Sequence, residues 1–281
     1  MTVINTNVAA SITANALTKN ERAMHQAMER LSTGQRINNA GDDAAGLAIS
    51  SRMTTYINGL DMAVRNANDA ISMVQTADGA LVEISGMLQR MRELTVQGAS
   101  GTYSSTDVGH LGTEFAALRD EIFRIVQAAQ WNGTNLLDGD VDGSTNDAAV
   151  AFQVGANASQ TVSVDFGDFE TAVDMGTNFT DSLAISTNSN SNTALGYIDT
   201  AITAVNSQRA IFGAAINRLE YAADNLANVS QNTSASRSRI LDADYASETT
   251  ELARTQIIQQ AATAMLSQAN QQAQSVLALL K

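Results

Sequence analysis

INGLDMAVRNANDAISMVQTADGALVEISGMLQRM, residues 57–91, decides the fold. Ile57, Leu60, Val64, Ala67, Ile71 and Val74 alternate three and four residues apart, the spacing of a helix with one apolar seam. Leu81, Ile84, Leu88 and Met91 repeat it, and the phase slips near Asp78-Gly79. The pattern predicts one helix from about Ala44 to about Gln97, some 80 Å long at about 1.5 Å per residue. A rod of that length belongs to an elongated bundle rather than to a compact globule.

Outward from it the chain repeats the theme. Leu17, Met24, Met28 and Leu31 predict an earlier helix that stops at Ser32-Thr33-Gly34. Residues 38–43 read as a linker in which Asp42 or Asp43 caps the next helix. A third helix spans roughly Ser105 to Ala129. A fourth runs from about Asn192 to Val229, with a seam of Leu195, Ile198, Ile202, Val205, Phe212, Ile216, Leu219, Ala223 and Leu226 that only Arg209 breaks. Between these two, residues 150–154 and 162–166 alternate and predict a β-hairpin. Residues 180–193, rich in Ser, Asn and Thr, predict an exposed loop. From Leu252 to Leu280, Ile258, Ala262, Met265, Ala269, Val276 and Leu279 form a coiled-coil seam whose opposite face is Gln, Ser and Thr. Such a helix is poorly stable alone and needs a partner, which the first helix can supply. The predicted class is mainly α: an elongated helical bundle or coiled coil with a small β-hairpin region.

Composition narrows the function. Proline is absent from all 281 residues. Each interior proline would cost a helix about 3 kcal/mol. Cysteine is absent too, which excludes disulfides, thiolate metal sites and thiol nucleophiles. The net charge of −13 and the lack of a basic patch argue against nucleic acid as a partner. No Lys or Arg lies between Arg124 and Arg209, so the middle is acidic and solvated while the ends carry mixed charge. No run approaches the ~18 apolar residues of a membrane span. The first residues lack the basic and apolar regions of a cleaved signal peptide. The polar faces of the arms are not the Lys/Arg-rich faces of membrane-surface helices.

The order of elements and several motifs together resemble bacterial flagellin. They are Val3–Asn7, Glu29–Asn38, Gly41–Ile49, Arg65–Ser72, Gln89–Val96, Phe152–Asn157, Ala214–Asn217, Arg239–Tyr245, Gln259–Ala261 and Leu277–Leu280. The resemblance implies a structural, non-enzymatic subunit of the filament used for swimming, without cofactors. A hook–filament junction protein is the alternative. It implies an inner terminal coiled-coil domain from residues 1–43 plus 241–281, and a rod-like helical domain from 44–240 carrying the hairpin near 150–166. The large outer domains found in many members have no counterpart here. The implied partners are other copies of the chain in a helical homopolymer, the flagellar export apparatus and an export chaperone, filament cap and junction proteins, and an animal innate immune receptor. The implied location is the extracellular filament, reached by export without a cleaved signal peptide. The arms would fold fully only on stacking against neighbours.

The candidate residues follow. Subunit packing falls to the arms, through Leu17, Met24, Met28, Leu31, Ile258, Ala262, Met265, Ala269, Val276 and Leu279. Lateral packing falls to Gln89, Arg90, Arg92, Leu94 and Glu114, with both arginines pairing acids of a neighbour. Arg90, Leu94 and Glu114 also match the positions by which the receptor recognises the family. Other constellations are weaker. His25 and His110 are the only histidines, which leaves little for a catalytic triad or a His-ligated metal. Residues 138–143 open like an EF-hand loop, but Ala149 stands where the bidentate Glu belongs. Gly41–Gly46 has phosphate-loop spacing, but Leu47-Ala48 replaces Lys-Ser/Thr.

Overall fold

A computed structural model describes residues 7–139, 141, 149–169 and 185–278, with the side chains of 272–278 outside the description. Helices α1 (Val8–Thr33), α2 (Ala44–Ala99) and α3 (Ser105–Ala128) come first. Strands β1 (Gln130–Trp131) and β2 (Thr134–Asn135) form one antiparallel pair, and β3 (Ala149–Gln153) and β4 (Thr161–Asp165) another. Helices α4 (Asn188–Leu241) and α5 (Tyr245–Ala278) follow. By their contacts the residues group into two units: Met1–Tyr56 with Gln231–Lys281, and Ile57–Ser230.

Side-chain caps set the helix ends. The Asn7 side chain accepts from the Ala10 amide at 3.0 Å and starts α1. Gly34, at φ 71°, ends it with the amide-to-Arg30 bond of a left-handed cap. Asp43, rather than Asp42, caps α2 by accepting from the Gly46 amide at 2.8 Å. Ser104 and Asp107 form a reciprocal capping box on α3. The Ser104 hydroxyl and amide hold the Asp107 carboxyl below its ordinary range.

In the second unit, α2, α3 and α4 surround the main core, and Leu60, Ala63 and Leu226 form a smaller second cluster. The α2 seam is Leu60, Ala63, Ala67, Ala70, Val74, Ala77, Leu81, Ile84, Leu88 and Met91, all buried. It runs through the expected phase slip without a break. Val64 and Ile71, expected in the seam, only flank it. The α4 seam does the same with Ser191, Ala194, Ile198, Ala201, Val205, Gln208, Phe212, Ala215 and Leu219, while Ile202 and Ile216 flank it. Alanines hold the alternate positions because small side chains let helices approach closely. Each fully buried Leu, Ile or Val contributes about 1.5–3 kcal/mol. The two expected irregularities meet each other: Arg209 pairs with Asp78 at 2.9 Å.

Residues 188–193, expected in a loop, are the first turns of α4. The Thr187 hydroxyl accepts from the Asn190 amide, and the Ser191 and Thr193 hydroxyls donate to carbonyls four residues back. The polar residues therefore satisfy a helix start that their composition concealed. The helix also continues past the expected end at Val229 to Leu241. The β3–β4 register sets Val150 opposite Val164 and Phe152 opposite Val162. Phe166, just beyond, is fully buried with its ring centroid 5.4 Å from that of Phe212. Asn66 on α2 donates to the Gln153 carbonyl and ties the hairpin to the helix. The smaller β1–β2 hairpin turns on Asn132-Gly133, both at positive φ.

Buried Ile185 packs its backbone onto α3 at Gly112, where a Cβ would collide with the Ile185 carbonyl oxygen. Gly86 of α2 faces open space. Thermal unfolding of the free subunit should therefore separate two formally equal changes. Gly112→Ala should cost about 1–3 kcal/mol through overpacking. Gly86→Ala should gain up to ~1 kcal/mol through helix propensity.

Candidate assembly surface

In the first unit α1 lies antiparallel on α5. Asn7 donates to the Ala269 carbonyl at 3.1 Å, Asn20 to the Thr255 carbonyl at 2.7 Å, and Arg30 pairs with Glu248 at 3.1 Å. Asn20, Ala27 and Thr255 are buried between the helices. The α5 stripe facing α1 is Leu252, Thr255, Gln259, Ala262, Leu266 and Ala269, each half-buried or more. The α1 stripe includes Leu17, Met24 and Leu31, half-buried. The helix pair thus combines apolar burial with two side-chain bonds to backbone carbonyls and one ion pair.

The seam on α5 is rotated from the expected one. Ala262 and Ala269 lie on it, but Ile258 is 40% exposed and Met265 63% exposed. Met28 on α1 is likewise exposed. The side chain of Val276 and all of Leu279 lie outside the described residues. Ile257 and Ile258 explain the rotation. Neighbours on a helix point about 100° apart, so one seam cannot take both. Thr255 and Gln259 face α1 instead. Away from that stripe, Ile257 and Ala264 lie on the opposite side of α5 and Ile258 and Met265 on its flank, and these four, with Ala253 and Ala261, are exposed. Helix α5 is thus apolar well beyond the stripe that α1 covers. The adjacent isoleucines were the available sequence signal for the excess.

At the foot of the pair the two linkers join. Arg36 donates its amide to the Leu241 carbonyl at 2.7 Å, and Ala243 donates to the Gly34 carbonyl at 2.9 Å. The Arg36 guanidinium also reaches the Ile240 carbonyl. Asp42 folds its own linker by accepting from the Asn38 and Asn39 amides and from Gln26. The Asn39 and Asn38 amides hold its carboxyl below the ordinary range.

The lateral candidates separate into two groups. Gln89, Arg90, Arg92 and Glu114 are exposed. Arg90 pairs with Glu114 at 2.9 Å and with Glu93 at 3.0 Å, and Arg92 with Asp199 at 2.7 Å. The acids raise both guanidinium pKa values, Arg90 through Glu93 first and then Glu114, and Arg92 through Asp199. Within the single subunit both arginines are thus paired with acids of their own chain. Leu94 is a correction. It is 1% exposed and belongs to the core of the second unit, so it supports the surface from beneath and offers no contact of its own. Its place one turn before buried Gly98 puts it on the core side of α2.

Comparison with known proteins shows the family of the chain. A model of the bacterial flagellin N-terminal helical region matches residues 4–142, and one of the C-terminal helical region matches 195–280. The chain belongs to the bacterial flagellin family. It is 44% identical to a flagellin of Bacillus subtilis over 99% of each chain, and 45% identical to one of Halalkalibacterium halodurans over 99% of this chain and 100% of that one. It is 41% identical to a flagellar filament core protein of Treponema phagedenis, over 99% and 100%. The crystal structure of a Bacillus cereus flagellin is 32% identical, with a TM-score of 0.51 over 58% of this chain and 88% of that one. A putative hook-associated protein of Vibrio parahaemolyticus shares the fold, with a TM-score of 0.62 over 72% and 100%, but only 16% identity. As a small flagellin without outer domains, the chain is a structural subunit of the flagellar filament, and nothing favours the hook-junction alternative.

The other sequence candidates are these. His25 and His110 are both exposed. Among the described residues no three His, Asp or Glu side chains come together to hold a metal ion, and no helix is long and apolar enough to cross a membrane. Asp140 and residues 142–148 of the EF-hand-like stretch lie outside the described residues. Asp42 yields the testable case. An aspartate with a lowered folded pKa stabilises above its unfolded value of about 3.9 and loses that contribution as pH falls through the folded value. Asp42→Ala should therefore lower the melting temperature at neutral pH. The gap from the parent should narrow as pH falls towards about 2, as scanning calorimetry would record.

Proposed function

We propose that the paired arms, residues 1–43 with 241–281, assemble the filament by burying the outward face of α5 against a second copy of this chain. The observation that carries the reading is the apolarity of α5 beyond the stripe that α1 covers, with Ile257 at 66% and Met265 at 63% exposed. A helix apolar well beyond the stripe its partner covers gains stability when the remainder is covered too. Val8 and Ile12 extend the exposed apolar surface onto α1. Contacts repeated between identical copies without closing give an open helical polymer. The polar bonds of Asn7, Asn20 and Arg30 hold the pair in register, and the apolar face supplies the drive.

Residues 44–240 take the lateral role. Gln89, Arg90, Arg92 and Glu114 form its exposed charged surface, and Leu94 positions α2 from within. An innate immune receptor would read the same Arg90–Glu114 surface on a free subunit. The chain acts by assembly and has no catalytic role. It leaves the cell through the flagellar export apparatus with an export chaperone. It then joins the filament between junction and cap proteins. Its freedom from cysteine suits passage as an unfolded thread.

The test is seeded polymerisation of the purified chain, followed by light scattering and electron microscopy. Ile257→Gln with Ile258→Gln should keep the circular dichroism of the subunit and raise the critical concentration at least about ten-fold, since each side chain loses roughly 1.5–3 kcal/mol of burial. Normal growth of the double variant would refute the reading, as would normal filaments from a chain lacking residues 241–281.

A further inference from the structure

With no cysteine in the chain, the methionine thioethers are its most readily oxidised groups. Their settings differ widely. Met91 is fully buried and Met73 nearly so, whereas Met28 is 39%, Met62 48% and Met265 63% exposed. Met265 also has a distinctive place. It stands on the outward face of α5, seven residues and two turns from Ile258. Of its neighbours one turn away, Ala261, Ala262, Gln268 and Ala269, only Gln268 has a polar side chain.

We propose that Met265 is a reversible oxidation site that gates entry of free subunits into the filament. The inference rests on the assembly reading above. The co-reactant is a peroxide. The thioether sulfur attacks one peroxide oxygen, the O–O bond breaks and a sulfur–oxygen bond forms. After a proton moves to the departing oxygen, water leaves. Sulfur loses two electrons and the peroxide gains them. In the reverse step a methionine sulfoxide reductase takes two electrons from a pair of thiols, which become a disulfide, and the sulfoxide oxygen leaves as water. The product is a strong acceptor on a face that supplies almost no donors. Burying it against a second apolar face leaves a polar group unpaired, and such burial is costly. Oxidation therefore acts on the free subunit, where the sulfur is open, and not on the polymer, where it is covered.

The experiment treats purified subunits and intact filaments with graded hydrogen peroxide. Peptide mass spectrometry maps the sulfoxides, and the subunits are then offered seeds. Met265→Leu keeps the size and apolarity of the side chain, and Met62→Leu is the matched control. Met265 should oxidise in the subunit well before Met73 and Met91 and be protected in the filament. Oxidised subunits should keep their circular dichroism, yet need at least about ten times the concentration to grow, the scale of one unpaired buried polar group. Methionine sulfoxide reductases with dithiothreitol should restore growth. Met265→Leu should grow before and after peroxide, and Met62→Leu should lose growth as the parent does. Equal loss of growth by Met265→Leu and the parent would overturn the proposal. So would normal growth of subunits carrying the Met265 sulfoxide. If Met265 oxidises equally fast in filament and subunit, its face is not covered and the assembly reading itself fails. Protection in filaments combined with normal growth of oxidised subunits rejects the gate alone.

Discussion

Helix α5 carries more apolar surface than its partner within the chain can cover, and the behaviour of the molecule turns on that excess. Helix α1 takes the stripe through Leu252, Thr255, Gln259, Ala262 and Leu266. Asn20, Asn7 and Arg30 add polar bonds along that stripe. Bonds to backbone carbonyls specify register at modest net energy, because each replaces a bond to water. The apolar drive of Ile257, Ile258 and Met265 is thereby left over for a neighbour. A subunit that satisfied both faces internally would be more stable alone and would have less reason to polymerise.

The second unit spends its apolar side chains differently. Its core is continuous from Ala67 to Leu219 across α2, α3 and α4, with Phe166 and Phe212 closing it under the β3–β4 hairpin. Its outer surface is charged, and Arg90 and Arg92 are already paired with acids of their own chain. Exposed pairs of this kind contribute little stability and are easily exchanged. They suit contacts that must choose a register more than contacts that must drive association.

Much of this was legible in the sequence because long helices repeat one signal many times. The extents of α2 and α3, the paired arms and the β3–β4 hairpin all followed from spacing. The seam errors share a cause. Ranking positions by hydrophobicity favoured Val64, Ile71, Ile202 and Ile216 over Ala63, Ala70, Ala201 and Ala215. In a tight helical seam the smaller residue sits inside and the larger one flanks it. The same preference drew Ile258 and Met265 onto the α1 side in place of Gln259 and Leu266. Leu94 is a surface residue only by the family resemblance; its apolar character points to the core, where it lies. Residues 188–193 looked like a loop because hydroxyls that return to their own backbone leave no apolar period to read. The pairing of Asp78 with Arg209 could have been guessed, since a charge breaking one seam beside a charge at a phase slip in another invites a match.

Hydrogen–deuterium exchange over residues 253–266, compared between free subunits and assembled filaments, tests the central claim most directly. If the outward face of α5 is covered by a second copy, these amides should exchange at least about a hundred-fold more slowly in the filament, because local opening must then also break the contact between subunits. Equal exchange in the two states would contradict the account.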